Sequence, residues 1–288
     1  MKLSALFFLL LATILPFLQS NAQGVQLPKI GVATSFDNDS LLSSAGYSYI
    51  EESARKLLAP SVPDSTYRRQ LARLRSMKLE VRSCNLFLPG TMRLIGPGAA
   101  SEKEILGYVD TLMFRAREAG IKLIVFGSAG SRKLLDGMDP ETSLRELIVI
   151  CRKMAKVAAK YDRIIAIENL NRSEDNFINS LEIVTRIVKT VDHPNFRLTA
   201  DIFHMKREGE NPELIVKAAP WLVHCHIAEN EGRRAPGTAK EDFIPYLAAL
   251  KKAGFKGRIT IECSWKNMAE ECRPALVYLQ QQLEAAYK

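Results

Sequence analysis

Four apolar runs in the second half of this chain each end on a side chain that binds cations. Ile164 to Ile167 ends at Glu168, Phe196 to Ala200 at Asp201, Trp221 to Cys225 at His226, and Arg258 to Ile261 at Glu262. Short apolar runs bounded by polar loops read as buried strands. Each would deliver one oxygen or nitrogen ligand at the same end, which is the layout of a cation site at the mouth of a parallel barrel. Two Glu, one Asp and one His make a hard, mostly oxygen donor set. Such a set favours one Mn2+, with Mg2+ or Co2+ as alternatives, over a structural Zn2+, which prefers Cys and His.

A divalent ion held there can chelate the carbonyl and an adjacent hydroxyl of a sugar. It then stabilises the enediolate formed when the proton between them is removed. Glu168 and Glu262 would face each other across the substrate. One carboxylate can take a proton from one face of a carbon while the other returns one to the opposite face, which is epimerisation. A single base shuttling between neighbouring carbons gives aldose–ketose isomerisation instead. His204, three residues past Asp201, and Glu174 can both meet the oxygen that becomes negative. Arg233, with Arg234 as its rival, can hold a terminal hydroxyl or carboxylate.

Such ligands need a scaffold that brings strand ends together, and the rest of the chain supplies its pattern. Four earlier runs read as strands: Ile30 to Thr34, Tyr47 to Glu51, Glu80 to Asn85 and Lys122 to Phe126. Helical spacing at i, i+3 and i+4 separates the strands over 64–77, 101–119, 143–161, 177–191, 212–218, 243–253 and 269–285, with a short helix near 40–45. Gly120 and Gly254 stand where helix C-termini take a left-handed residue. Alternating strands and helices give a parallel sheet, and eight strands give a closed one. The expected fold is α/β, a (β/α)8 TIM barrel with outer helices, forming one catalytic domain over residues 23–288. The loop Leu86 to Pro97 follows strand three on the ligand-bearing face and reads as a lid or pocket wall.

Residues 1–22 read as a signal peptide. Lys2 precedes the apolar run Leu3 to Leu18, and Ser20-Asn21-Ala22 offers small residues for cleavage before Gln23. The expected destination is outside the cytoplasm, periplasmic or secreted, with no membrane attachment after cleavage. Net charge is +8. The basic residues alternate with acidic ones along helices, as solvated faces do, so nucleic acid is not an expected partner. Five cysteines show no CxxC spacing, and buried free thiols are expected. His224 shares a strand face with His226 and is expected in the barrel core. Cys225 and Cys263 should point away from the lumen. Trp265 suits either a pocket wall or the barrel rim. The expected partner is a small-molecule sugar, and a homo-oligomer is compatible with the sequence.

Glu168-x-x-Asn171-Arg172-x-Glu174, followed by Asn176-Phe177-Ile178-Asn179, resembles the ketose 3-epimerases related to D-tagatose 3-epimerase, within the xylose-isomerase-like superfamily of barrels. Asp201-x-x-His204, His226-Ile227-Ala228-Glu229-Asn230, the Pro236-Gly237 turn and Gly257-x-Ile259-x-Ile261-Glu262 support the resemblance. Phe126-Gly127-Ser128…Arg132 and Asn85-x-Phe87-x-Pro89-Gly90 extend it. It implies that Glu168, Asp201, His226 and Glu262 bind the metal and that Glu168 and Glu262 are the acid/base pair. It also implies that Glu174 and His204 contact the substrate near its carbonyl, with Arg233 beside them. Ser173 stands where the motif commonly has an aromatic.

Other functions are weighed against the same residues. The superfamily's three-metal abasic-site endonucleases need further His ligands on strands two and three and an Asp-x-His after strand seven. This chain has four His, strand two ends at Glu51, strand three ends at Asn85, and no His follows His226. A keto-sugar or inosose lyase or dehydratase would use the same metal site. A non-catalytic sugar-binding barrel has no need of both Glu168 and Glu262. The segment Cys263-Ser264-Trp265-Lys266-Asn267 lacks the Gly-rich phosphate cradle common in barrels, which points to a free ketose or keto-sugar.

Overall fold

Eight parallel strands pair in sequence order and close on themselves. They are β1 Ile30–Ala33, β2 Tyr49–Ser53, β3 Glu80–Asn85, β4 Leu123–Phe126, β5 Ile164–Glu168, β6 Phe196–Asp201, β7 Leu222–Ile227 and β8 Arg258–Ile261. The circle shuts where β1 meets β8, with Gly31 opposite Thr260. The structure, a computed structural model, describes residues 26–288. The signal-peptide expectation for residues 1–22 lies outside the described residues. Among those described, no helix is long and apolar enough to cross a membrane.

Strand alternation divides the side chains into two sets. Ile124, Phe126, Ile165, Ile167, Cys225 and Ile259 turn outward and join one large core with the helices. Leu123, Val125 and Ala166 form a separate small cluster in the lumen. The lumen is otherwise unusually polar: Glu51, Ser83, Thr199, His224 and Thr260 are all buried there. Gly31 is required at the bottom of this space, because a Cβ would meet the Tyr49 ring at 2.5–2.6 Å.

The helices begin where side chains satisfy their free N–H groups. Ser101 caps Glu102–Glu118 in a reciprocal box with Glu104, and Asp139 caps Pro140–Lys160 with Pro140 in the first turn. Ser180 caps Leu181–Val191 by accepting from Ile183 N–H. That cap explains why this helix starts four residues later than the 177–191 expectation: residues 177–180 belong to the loop that carries the site.

Strand two also differs. The apolar pattern places it over Tyr47 to Glu51, and it runs over Tyr49–Ser53. Gly46, at φ +97, ends the preceding helix, and Tyr47 N–H still bonds back to Leu42. At the other end Glu51, Glu52 and Ser53 continue the strand because each finds buried partners, such as Phe36 N–H and Ser53 N–H on the Glu52 carboxylate. Hydrophobic patterning stops at the first charge and misses this. It also misses the short helices Ala54–Leu57, Ala129–Arg132 and Ile202–Arg207. One or two turns are too short for helical spacing to register. All five cysteines are free, and four of them are buried.

Candidate metal centre and active site

The four strand-end residues Glu168, Asp201, His226 and Glu262 converge, with one ligand atom from each lying within 4.8 Å of the others. Their register explains the meeting. Asp201 sits directly opposite His226, and Glu262 continues β8 with its N–H on the carbonyl of Ile227. An Asn169 side chain clamps β6 to the end of β5, accepting from Asp201 N–H at 3.1 Å and donating to the Asp201 carbonyl at 3.3 Å.

The atoms that face each other are short of partners. Glu168 Oε1, Asp201 Oδ2 and His226 Nδ1 are buried and make no aligned hydrogen bond. Even so, His226 Nδ1 stands 2.6 Å from Glu168 Oε1 and 3.4 Å from Glu262 Oε2. Ligand atoms around a six-coordinate ion at about 2.1 Å are about 3 Å apart, which these separations bracket. Asp201 Oδ1 is occupied as the cap of Ile202–Arg207, accepting from His204 N–H, which leaves Oδ2 for the cluster. The donor set therefore fits a hard divalent cation. Three carboxylates are balanced by such an ion together with Arg233.

Electrostatics agree. Burial pushes the Asp201 carboxyl up to about 6 and raises Glu168. Burial also disfavours a charged His226, but Glu51, Glu168 and Glu262 outweigh it and lift the ring well above its usual value. A divalent ion held among these groups would supply positive charge where the carboxylates favour it. Burial pushes Glu262 up too, but His226 and Arg233 prevail and hold it below the usual carboxylate range.

Arg233 occupies the site and Arg234 does not. The Arg233 guanidinium pairs with Glu262 Oε2, lies 3.4 Å from Glu174 Oε1 and 3.6 Å from Asp201 Oδ2, and stacks over Phe203 at 4.8 Å. Arg234 pairs instead with Glu271 at 2.8 Å. The Arg233 carbonyl accepts from Ser264 N–H at 2.7 Å, so the segment after β8 uses a backbone donor to place this residue. Asn85 donates to Glu262 Oε1 at 2.7 Å. His204 lies behind the cluster, fully buried. Its Nδ1 accepts from Asn171 N–H at 3.1 Å, and its Nε2 is 3.3 Å from Asp201 Oδ2. Burial lowers it to about 4, so the ring is neutral and carries its proton on Nε2.

A cavity of about 230 Å3 opens above the cluster, lined among others by Asn85, Gly127, Glu168, Glu174, Arg233 and Glu262. A larger surface groove of about 610 Å3 between the loop after β7 and the last helix contains none of the cluster. The loops after β3 and β4 form one wall, touching through Gly90 and Gly130. A Cβ on Gly130 would come within 2.8 Å of Gly90 Cα. Trp265 packs against the core at the rim and does not line the cavity.

Two supporting residues leave little trace in the sequence. Arg132, fully buried on the short helix after β4, bonds Asp175 at 2.8 Å and the Glu168 carbonyl at 2.9 Å, so it anchors the backbone that carries Glu168. A Phe126-Gly127-Ser128…Arg132 spacing is the only signal it gives. Glu51 is the other, and it sits beneath His226 at 2.8 Å.

A family model described as xylose isomerase-like TIM barrel matches residues 40–285. The chain belongs to this family. Among curated relatives, the D-psicose 3-epimerase of Ruminiclostridium cellulolyticum is 32% identical over 112 residues, 38% of each chain. The 3-dehydro-D-guloside 4-epimerase of Escherichia coli is 28% identical over 131 residues, 44% of this chain and 50% of the relative. The inosose isomerase of Bacillus velezensis is 25% identical over 171 residues, 56% of this chain and 60% of the relative. The first curated relatives are matched over 38–64% of their own length. A crystal structure of D-psicose 3-epimerase from Clostridium cellulolyticum H10 with D-tagatose superposes at TM-score 0.78 and 20% identity, covering 88% of this chain and 99% of the other. At that identity the likeness is one of fold.

Proposed function

We propose that this chain is a divalent-metal-dependent isomerase or epimerase of a free ketose or keto-sugar. The observation that carries the proposal is the placement of Glu168 and Glu262. They project from β5 and β8 across the mouth of the barrel, both belong to the cation cluster, and both border the cavity. The relatives named above act on ketoses, a keto-glycoside or an inosose, as their names state, which supports the substrate class.

Glu168, Asp201, His226 and Glu262 would hold the ion, with Mn2+ the expected metal and Mg2+ or Co2+ alternatives. When bound, it polarises the sugar carbonyl and lowers the cost of negative charge on that oxygen. The remaining work falls to the side chains. Asn85 and Arg233 both bond Glu262 and favour its ionised form, so Glu262 is set to receive a proton from carbon. Glu168, on the other side, returns one to the opposite face. Arg233 and Glu174, which both line the cavity, would orient substrate hydroxyls. His204, behind the cluster, reaches the substrate through Asp201 and Asn171 in this arrangement rather than directly.

The cavity is smaller than the roughly 300–1,000 Å3 of drug-sized pockets, which suits a single sugar unit. We further read the protein as exported, with residues 1–22 as its signal. The test is incubation of the metal-loaded protein with a panel of ketoses and keto-sugars in D2O. Epimerisation or isomerisation with deuterium at one carbon supports the proposal. Elimination products would instead favour a lyase, and no exchange with any member would overturn it.

A further inference from the structure

We infer that Glu51 is a positioning residue for His226, holding the ring through Nε2 so that Nδ1 is left to bind the ion. The inference rests on the metal-site reading above. Glu51 lies in the lumen on β2, fully buried, one layer beneath the cluster. One of its oxygens, Oε2, accepts from Ser83 Oγ at 2.5 Å and meets His224 Nε2 at 2.9 Å. Thr260 Oγ1 is 3.5 Å from the same oxygen, and it also contacts His224 Nε2 at 3.1 Å and Tyr49 OH at 2.7 Å. Four strands, β2, β3, β7 and β8, therefore fix where this carboxylate sits.

The other oxygen, Oε1, stands 2.8 Å from His226 Nε2, while the far nitrogen of that ring faces Glu168 and Glu262. A neutral imidazole carries one N–H and one lone pair. A carboxylate at Nε2 selects the N–H there, which puts the lone pair at Nδ1, inside the cation cluster. The Nε2 and Oε1 atoms lack an aligned hydrogen bond despite their separation. Distance is thus already set, and ring orientation is what a ligand at Nδ1 has left to adjust.

The rival is a second ion among Glu51, His224 and His226, which also come within 4.8 Å of one another. That group offers a single carboxylate, and Glu51 Oε2 is already filled by Ser83 and His224. A shared proton satisfies it with less charge.

The experiment uses the full chain, stripped and titrated with Co2+ by absorbance, together with 15N-histidine spectra of the Mg2+-loaded wild type. Wild type should bind one ion per chain, and Glu51→Gln should bind Co2+ about 10- to 100-fold more weakly. The His226 spectrum should show a proton on Nε2 and none on Nδ1. Undiminished Co2+ affinity in Glu51→Gln, a proton on Nδ1, or a ring with no proton beside two ions per chain would each overturn the inference. If Glu51→Gln fails to fold, the wild-type spectrum decides alone. A wild-type chain that binds neither ion overturns the metal site itself, and that outcome is visible without any variant.

Discussion

Gly127 follows β4 and backs onto the Glu168 carboxylate, so a single methyl group can test whether that carboxylate acts. A Cβ at this position would meet Glu168 Oε2 at 2.5 Å, where ordinary contact begins at 3.4 Å. The difference means that the carboxylate retreats by about 1 Å, a displacement that costs a reaction about 100-fold, or roughly 2.7 kcal/mol of barrier. The fold should notice little. The obstructing atom is the tip of a side chain, and Gly127 does not use a positive φ. Alanine also restricts the unfolded chain, which offsets about 0.4–1 kcal/mol of any strain. Gly127→Ala should therefore lower kcat about 100-fold and weaken Co2+ binding, with urea unfolding shifted by less than about 1 kcal/mol. Wild-type turnover and Co2+ affinity in the variant would refute the placement of Glu168 in both roles. A stability loss of several kcal/mol would show that the backbone, not the side chain, yields.

Other perturbations probe the remaining parts. Arg132→Met leaves Asp175 fully buried without its cation, so urea unfolding should show a loss of about 3–5 kcal/mol; replacing both residues in Arg132→Met/Asp175→Asn should recover a large part of it. A loss near zero in the single variant would mean that the pair anchors nothing. Complete chelation should abolish turnover, and Mn2+, Co2+ or Mg2+ should restore it; unchanged turnover in the stripped protein would remove the ion from the chemistry. Glu262→Gln should cost at least about 100-fold in kcat, measured with the ketose that exchanges deuterium, and near-normal kcat would take Glu262 out of the proton transfer.

The four strand-end residues that converge, and the barrel that brings them together, are legible in the sequence because both are local patterns. Each of the four sits at the end of an apolar run, and strand and helix periodicities repeat often enough to count. Alternation along β7 likewise puts His224 and Cys225 on opposite faces by their spacing alone. The short helices after β2, β4 and β6 are not legible, because they last one or two turns, too few for helical spacing to register. The sequence names Arg233 with Arg234 as its rival, and neighbouring residues differ only in which way the loop turns. The loop turns Arg233 toward Glu262 and Arg234 toward Glu271, with the Arg233 carbonyl accepting from Ser264 N–H.

What the sequence determined alone is the donor set: three carboxylates and an imidazole at strand ends. What only the tertiary structure decided is which polar residues support them. Glu51 sits 173 positions from His224 along the chain, and Arg132 meets the Glu168 carbonyl from 36 positions away. Their roles depend on burial and on contacts across the closed barrel. A buried charge and a solvated one look the same in a sequence, and only closure of the sheet determines which of them loses its water.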